Sequence, residues 1–245
     1  MTSIARRRIP LWWKLLYTAF MTTLVPVYLY HYGPTNFLYF CDVAAVMTLA
    51  ALWLESPLLG SAALVGIFLP QLLWVADFLV GLGGGRLTGM TDYMFDVRRP
   101  FYLRFLSFFH FWLPFLLLLL VWRVGYDRRG FVLWWAVAWV LVAVCYLFMP
   151  PPGRYDDPNL PVNINFVYGF SDTDAQTMMN GRLYVALLLA ALPLAILLPA
   201  HLVFRRIMPA PLQAGRQDFT GDSTRPGLAP DGTPCPAAQK SPPLG

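Results

Sequence analysis

Long apolar runs constrain this chain more than any other feature of its sequence. Six of them are long enough, or nearly so, to cross the roughly 30 Å hydrocarbon core of a bilayer as helices. The runs lie at 11–30, 36–54, 58–80, 101–122, 131–149 and 183–204. Six of the nine residues at 113–121 are leucine, and the segment does not alternate as a transmembrane β-strand would. The sequence therefore predicts an all-α polytopic membrane protein, a bundle of six transmembrane helices within residues 1–208.

Composition supports a membrane class and excludes two others. Hydrophobic residues make up 58% of the chain and charged residues 13%, against about 25% charged in an average soluble domain. A soluble globule could not bury so much apolar surface, and a wholly disordered chain would lack it. The segment 209–245 differs in composition from the rest of the chain and is rich in Pro and Gly. It is predicted to be a disordered cytoplasmic tail.

The basic residues predict how the helices are oriented. With the N-terminus inside, 12 of the 18 Lys and Arg residues fall on the inner side and 6 on the outer side. Cytoplasmic loops carry the excess of Lys and Arg in membrane proteins. We therefore expect a multi-pass protein of the bacterial inner membrane with both termini in the cytoplasm. No small-x-small cleavage site follows the first run, so we interpret that run as a retained helix rather than a signal peptide.

Charge and cysteine usage indicate which partners to expect. The net charge of +5 does not indicate nucleic acid, because the basic residues are spread over the ends of the apolar runs. Cys41, Cys145 and Cys235 lack the CxxC or Cys/His spacing of a zinc site. We expect no nucleic-acid partner, no metal and no cofactor. The lipid bilayer is the expected partner.

Polar side chains inside the apolar runs indicate function best, because lipid makes them costly. The most informative ones, in the second, third and fourth runs, are Cys41, Asp42, Gln71, Asp77 and His110. Ser107 shares a helix face with His110, three residues away. Under the predicted topology all of them fall in the outer half of the membrane. Separate segments are thus expected to bring a thiol, an imidazole, carboxylates and an amide to similar depth.

Simpler interpretations exist for several polar residues. Lys14 and Arg104 lie near helix ends, where long basic side chains anchor at the interface. Glu55 before Ser56-Pro57 indicates an inner-face turn. A buried Cys is a small hydrophobe in most sites, and a His in a membrane helix can simply bond a neighbouring helix. These interpretations stay open for Cys41 and His110, and Asp42 and Asp77 can simply face interfacial water.

Two long loops belong to the same outer side. The first, 81–100, opens with Gly-Leu-Gly-Gly-Gly-Arg and lacks the ending of a phosphate-binding P-loop, so we interpret it as a flexible hinge. The second, 150–181, is rich in Pro and Asn, which disfavour helix. Its apolar residues, among them Ile164 and Val167, make a fully solvated loop implausible. We expect this loop to fold back onto the bundle.

Three short motifs within residues 30–205 resemble the YwaF-type family of bacterial integral membrane proteins. They are Asn36-Phe-Leu-Tyr-Phe-Cys41-Asp42, Phe109-His110-Phe-Trp and Asn163-Ile-Asn165-Phe-Val-Tyr168-Gly. That family has Leu-His-Leu-Cys early in a helix, Ser-His-Gly later, and Asn-Tyr-Met near a loop. Animal six-helix membrane acyltransferases and fatty-acid-ester hydrolases are regarded as its distant relatives.

The resemblance implies a catalytic pair. Cys41 matches the family's early Cys, His110 its later His and Asn165 its loop Asn. In the animal acyltransferases the Cys and the His are the proposed catalytic pair. This chain departs from the pattern where Tyr39 replaces a His and where Phe111-Trp112 replaces a small residue.

The first functional hypothesis is lipid acyl transfer or hydrolysis at an outer-leaflet site. Cys41 would be the nucleophile and His110 the general base, because thiolates form acyl intermediates and imidazole titrates near neutral pH. Asp42 or Asp77 would orient the imidazole, and Asn165 or Ser107 would donate to the oxyanion. The substrate would be a lipid or acyl chain arriving from the bilayer.

Two other functional classes remain. In a small transporter or ligand-binding membrane protein, Asp42, Asp77 and His110 would form a proton or cation relay. The two three-helix halves show no convincing internal repeat of the kind found in many transporters. In an accessory subunit of a membrane complex, the outer polar cluster would dock another protein.

Overall fold

The computed structural model describes residues 9–154, 160–171 and 173–211, and nearly all of the predicted tail at 209–245 lies outside these ranges. The described residues form helices joined by turns and loops, with no strand among them. The helices are α1 (Leu11–Tyr32), α2 (Phe40–Leu54), α3 (Pro57–Leu82), α4 (Asp92–Phe95), α5 (Phe101–Ser107), α6 (Phe109–Val124), α7 (Arg129–Phe148), α8 (Gly181–Ala191) and α9 (Leu198–Ile207). A 3₁₀ turn at Pro34–Leu38 precedes α2, and a π-helical stretch at Leu192–Leu197 joins α8 to α9.

Long helical stretches occupy all six predicted runs, with α5 and α6 sharing one run and α8 and α9 another. Four stretches in the described ranges are long and apolar enough to cross a membrane: Pro57–Leu82, Phe101–Val124, Arg129–Phe148 and Gly181–Ile207. Helix α2 is apolar but has 15 residues, which gives it a length of only about 22 Å. Helix α1 has 22 residues but is less apolar than the four. The chain is therefore all-helical, with four candidate membrane-spanning helices.

Helix α3 is the centre of the bundle and packs against α2, α6 and α7. Small residues on α3 make these close approaches possible, because bulky side chains would hold the backbones apart. A side chain at Gly66 would overlap the ring of Trp134 on α7. Gly130 at the start of α7 lies directly against the backbone of Ala62. Tight packing around α3 thus sets the positions of the polar residues that its neighbours carry.

The turn between α2 and α3 confirms the predicted turn at Glu55. Glu55 ends α2 with a left-handed backbone (φ 48°), and the Ser56 hydroxyl accepts the Leu59 N–H at 3.3 Å. Pro57 occupies the first turn of α3, where its missing N–H is not needed. Lys14, whose anchoring role stays a prediction, forms an ion pair here, since its Nζ lies 2.8 Å from Glu55 Oε1 and both side chains are largely buried.

The α6–α7 turn lies at the same end of α3 and is also internally paired. The Asp127 N–H donates to Ser61 Oγ at 2.9 Å, and Arg129 Nη2 donates to Asp127 Oδ2 at 2.7 Å. Hydrogen bonds from Arg129 lower the pKa of Asp127. The Tyr126 hydroxyl and His201 Nδ1 are 2.8 Å apart. These side chains hold the turn and α9 in place.

The loop at 160–171 folds back onto the helices, as predicted. Ile164 and Val167 are fully buried. Asn163 organises the loop internally, since its Nδ2 donates to Gly169 O at 2.8 Å and its Oδ1 accepts from Tyr168 N at 2.9 Å. The Tyr168 hydroxyl then donates to the Tyr146 carbonyl of α7 at 2.9 Å. The loop is therefore part of the packed structure and covers the end of α7.

Candidate functional site

Asp42 lies in the first turn of α2 and is 3% exposed. Its Oδ2 accepts from Asn36 Nδ2 at 3.1 Å and faces the Cys41 thiol at 3.9 Å. Its Oδ1 is buried and has no hydrogen-bond partner in the described part of the chain. No ion pair among the described residues includes Asp42. This carboxyl group therefore lies in the bundle with only neutral polar neighbours.

Two tyrosines of α1 lie near Asp42, although neither hydrogen-bonds to its carboxyl in the described ranges. Tyr28 near the end of α1 and Ser107 at the end of α5 share a hydrogen bond of 2.8 Å. Tyr28 and Tyr17 both lie within electrostatic range of Asp42. The Tyr17 hydroxyl is engaged elsewhere, because it donates to Ala45 O at 2.9 Å. Both tyrosine hydroxyls are therefore engaged with groups other than the Asp42 carboxyl.

His110 on α6 belongs to a second polar group, formed with α3. Its Nδ1 lies 3.0 Å from Gln71 Nε2, and because an amide nitrogen only donates, Nδ1 is the acceptor in this arrangement. The Trp74 ring packs 5.3 Å from the imidazole and the Phe109 ring 4.1 Å from it. Gln71 Oε1 and Trp74 Nε1 are buried without hydrogen-bond partners in the described ranges.

The predicted Cys41–His110 pair is not joined by a hydrogen bond within the described residues. The Cys41 thiol contacts Asp42, whereas His110 bonds Gln71 on another helix. Cys41 and Cys145 are both free thiols. The nucleophile and general-base roles therefore stay predictions, and Cys41 is grouped with Asp42 rather than with the imidazole.

Asn165 joins the 160–171 loop to the start of α2. Its Nδ2 donates to Leu38 O at 2.9 Å and approaches Cys145 Sγ at 3.5 Å, while its Oδ1 accepts the Phe40 N–H at 3.0 Å. The residue has a left-handed backbone (φ 59°), a conformation that Asn tolerates better than most residues. Both amide N–H groups are engaged, so this geometry gives Asn165 an architectural role and leaves no donor aimed at an oxyanion.

Asp77 holds the loop that follows α3 and makes no hydrogen bond to His110. Its Oδ1 accepts the Thr88 N–H and the Gly89 N–H, the latter at 3.1 Å. Its Oδ2 accepts the Thr91 N–H at 2.8 Å and the Thr91 hydroxyl at 2.6 Å. The structure thus replaces the proposed orientation of the imidazole by Asp77 with an anchor for the loop. Residues 88–91 of the predicted hinge are tied to α3 by this carboxylate.

An open cleft of about 660 Å³ lies between the end of α3 and this loop. Its lining residues are Asp77, Gly81, Gly84, Gly85, Arg86, Thr91, Asp92, Tyr93, Phe95, Asp96, Arg98 and Arg99. Arg86 pairs with Asp92 at 2.8 Å and Arg98 with Asp96 at 2.9 Å. Hydrogen bonds from Arg98 hold the pKa of Asp96 below its ordinary value. The cleft carries charges of both signs.

Three residues of this region escaped the sequence reasoning. Asn36 lies in the 3₁₀ turn before α2, where an apolar run gave no reason to look for an Asp42 partner. Tyr28 and Tyr93 resemble ordinary interface aromatics by sequence. The available signal was their hydroxyl groups, since a buried Tyr hydroxyl usually has a hydrogen-bond partner.

Comparisons with protein families, curated proteins and solved structures found no match to this chain. The resemblance to the YwaF-type family therefore stays a prediction carried by its three motifs.

Proposed function

We propose that this chain is a small multi-pass membrane protein of the transporter or ion-binding class, with Asp42 as its proton-binding group. The observation that carries the proposal is the buried Asp42 carboxyl, whose Oδ1 has no hydrogen-bond partner in the described ranges. Ionisable groups inside a membrane bundle are costly and characteristic of proton and ion pathways. The proposed site contains fewer residues than the relay of Asp42, Asp77 and His110 predicted from sequence. Asp77 is hydrogen-bonded to the loop after α3, and His110 is hydrogen-bonded to Gln71.

A comparison of the two buried carboxyls supports a proton on Asp42. Asp77 receives four hydrogen bonds from the loop, enough to hold a full negative charge. Asp42 receives one amide hydrogen bond and a long contact from a thiol. At about 1.5–3 kcal/mol per hydrogen bond to a charged group, Asp42 lacks at least about 3 kcal/mol of such stabilisation. The start of α2 contributes at most about 2 kcal/mol to an anion. A proton on Oδ1 removes the charge and the deficit together.

The proposal includes six membrane-spanning helices with both termini in the cytoplasm of a bacterial cell. The four long apolar stretches support a membrane location. Helix α1, with 22 residues, is about 33 Å long and can span the hydrocarbon core. The 3₁₀ turn before α2 extends that short helix toward the outer face. The excess of Lys and Arg on the side of the membrane that holds the N-terminus supports this orientation.

Infrared difference spectroscopy on the full chain in lipid nanodiscs tests the proton on Asp42. We expect a carboxylic-acid carbonyl band that appears as the pH is lowered and shifts in D₂O, and Asp42→Asn removes it while keeping a similar side-chain shape. Asp92→Asn is the matched control, because Asp92 is exposed and paired with Arg86; this variant keeps the band. A wild-type protein without such a band, or a band that survives Asp42→Asn, contradicts the proposal.

Lipid acyl transfer or hydrolysis is the second candidate function. The contact between the Cys41 thiol and the Asp42 carboxyl supports it, since a carboxylate beside a thiol can take its proton. Release of fatty acid from phospholipid vesicles by the purified chain, lost in Cys41→Ala, would favour this candidate over proton binding alone. An unchanged infrared band in the same variant would show that the two activities are separate.

A further inference from the structure

Two polar side chains of α3 lie in the bundle with one unpartnered atom each. Gln71 is 5% exposed and Trp74 is 6% exposed, so both are more than nine-tenths buried. Gln71 Oε1, a hydrogen-bond acceptor, and Trp74 Nε1, a donor, have no partner in the described ranges. Both residues belong to Pro57–Leu82, one of the candidate membrane-spanning stretches. Because lipid offers no hydrogen bonds there, a lone donor and a lone acceptor are both costly.

Gln71 and Trp74 lie close together on α3, and both contact His110 on α6. Residues three apart on a helix have Cβ atoms about 5–6 Å from each other. His110 Nδ1 lies 3.0 Å from Gln71 Nε2, which orients the amide so that Oε1 is its unpaired atom. The Trp74 ring lies 5.3 Å from the imidazole and stacks on the Phe78 ring at 5.3 Å. These contacts hold an acceptor and a donor next to each other on one helix.

The two unpaired atoms restrict the chemistry of any partner, because one is an acceptor and the other a donor. A carbonyl or carboxylate oxygen would accept from Trp74 Nε1 but has no proton to give to Gln71 Oε1. A cation would suit Oε1 alone and would lie against the indole N–H. A hydroxyl group donates one hydrogen bond and accepts up to two. With hydrogen bonds of about 2.7–3.2 Å, one hydroxyl oxygen can join two atoms up to about 6 Å apart.

We propose that Gln71 and Trp74 bind a hydroxyl group, which donates to Gln71 Oε1 and accepts from Trp74 Nε1. The hydroxyl belongs to water or to a membrane-soluble alcohol, since both sources offer this chemistry. The His110 imidazole orients the Gln71 amide and forms part of the wall of the site. The site is separate from the Asp42 carboxyl, whose amide partner is Asn36. It therefore does not depend on the proposed proton binding.

Nuclear magnetic resonance on the full chain in lipid nanodiscs, with ¹⁵N-labelled tryptophan, tests the site. Trp74→Phe assigns the Trp74 indole signal by its loss, and a hydrogen bond from Nε1 moves that N–H proton signal downfield. If the hydroxyl is that of an alcohol, 1-dodecanol produces the shift. Its methyl ether, which cannot donate to Gln71, binds roughly tenfold more weakly because one hydrogen bond is missing. If the hydroxyl is that of water, the shift is present without alcohol and the indole proton shows a cross-peak to water.

Gln71→Met removes the acceptor and keeps a long unbranched side chain. We expect it to weaken 1-dodecanol binding roughly tenfold, or to remove the water cross-peak, and Gln71→Leu serves where the Met variant does not fold. Two other indoles in the same spectra are controls. Trp53 Nε1 already donates to Thr18 Oγ1 at 2.9 Å, so its signal does not respond. Trp135 Nε1 has no partner in the described ranges but lines an apolar groove, so the alcohol and the ether affect it alike.

Three results overturn the proposal. The first is a Trp74 indole signal at the position of an unbonded N–H in every sample. The second is equal affinity for 1-dodecanol and its methyl ether at Trp74, without a water cross-peak. The third is a downfield shift that Tyr93→Phe removes and Gln71→Met keeps, because the nearby Tyr93 hydroxyl would then be the partner of the indole. None of these results alters the infrared test of Asp42.

Discussion

Two aspartates show how far a single residue type is defined by its surroundings. Asp42 and Asp77 are both buried and both lie on apolar helices. The loop at 88–91 supplies Asp77 with backbone and hydroxyl donors, so this carboxylate is a structural anchor. Asp42 has one amide donor and a thiol. The unpartnered Oδ1 of Asp42 is what makes it, and not Asp77, the functional candidate.

Gly66 is the residue whose size the packing restricts most clearly. A Cβ there would come within 1.9 Å of the Trp134 ring, whereas a Cβ at Gly60 would meet Val121 at an ordinary 3.4 Å. We expect Gly66→Ala to lower the free energy of unfolding by about 1–3 kcal/mol through overpacking. Gly60→Ala, the control, stays within about 1 kcal/mol of the wild type. Thermal unfolding in detergent measures both, and equal melting temperatures for the two variants would contradict this account of the α3–α7 contact.

At the scale of elements, two separate segments hold the start of α2. The 3₁₀ turn at Pro34–Leu38 brings Asn36 to Asp42. The loop at 160–171 brings Asn165 to the backbone on both sides of Tyr39. The first turn of α2 carries both Cys41 and Asp42. The turn and the loop therefore determine where these two side chains lie.

Asn165→Ala tests the contribution of the loop to this assembly. Loss of the amide leaves Leu38 O and the Phe40 N–H without their partner, which costs about 1–3 kcal/mol for each buried group. We expect faster hydrogen–deuterium exchange in the peptide that covers Leu38 and Phe40. Phe170→Ala on the same loop is the control, because Phe170 is 85% exposed; it leaves the exchange unchanged. Wild-type protection in Asn165→Ala would show that the loop does not hold α2.

At the scale of the whole molecule, the polar groups separate into two regions along the central helix α3. The region near the start of α3 contains the Lys14–Glu55 and Asp127–Arg129 ion pairs. The region near its end contains the Asp42 cluster, the His110–Gln71 pair and the cleft. Apolar packing around α3 lies between them. We assign the proposed function to the second region. It contains the carboxyl group that lacks a full set of hydrogen bonds, whereas the charges of the first region are paired.

The predicted orientation assigns these two regions to opposite faces of the membrane. In a chain whose native cysteines are replaced by Ala, we expect Phe170→Cys to react with a membrane-impermeant maleimide added to intact cells. Arg128→Cys, exposed at the other end, reacts only after the cells are permeabilised. The reverse pattern would invert the topology, and labelling of both positions in intact cells would contradict the six-span arrangement.

The sequence by itself determined the class of the protein and the place of each long helix. Apolar runs longer than about 18 residues have few stable alternatives to a helix in lipid, because every backbone polar group must be satisfied within the segment. The depth of Asp42, Gln71, Ser107 and His110 along their helices followed from the same pattern. Only the tertiary structure decided their partners. Position along a helix does not specify which side chain of another helix lies opposite, and that choice depends on packing around residues such as Gly66.

For this reason only the structure shows that Asp42 is hydrogen-bonded to Asn36, His110 to Gln71, and Asp77 to the loop after α3. The Cys41–His110 pair was predicted because both residues lie at a similar depth in the membrane. Similar depth does not establish that two side chains are in contact. Apolar sequence determines where a polar residue is buried. The rotation and crossing of the helices determine whether that residue has a hydrogen-bond partner. Asp42 Oδ1 has none in the described ranges, and for that reason Asp42 is the proposed functional residue.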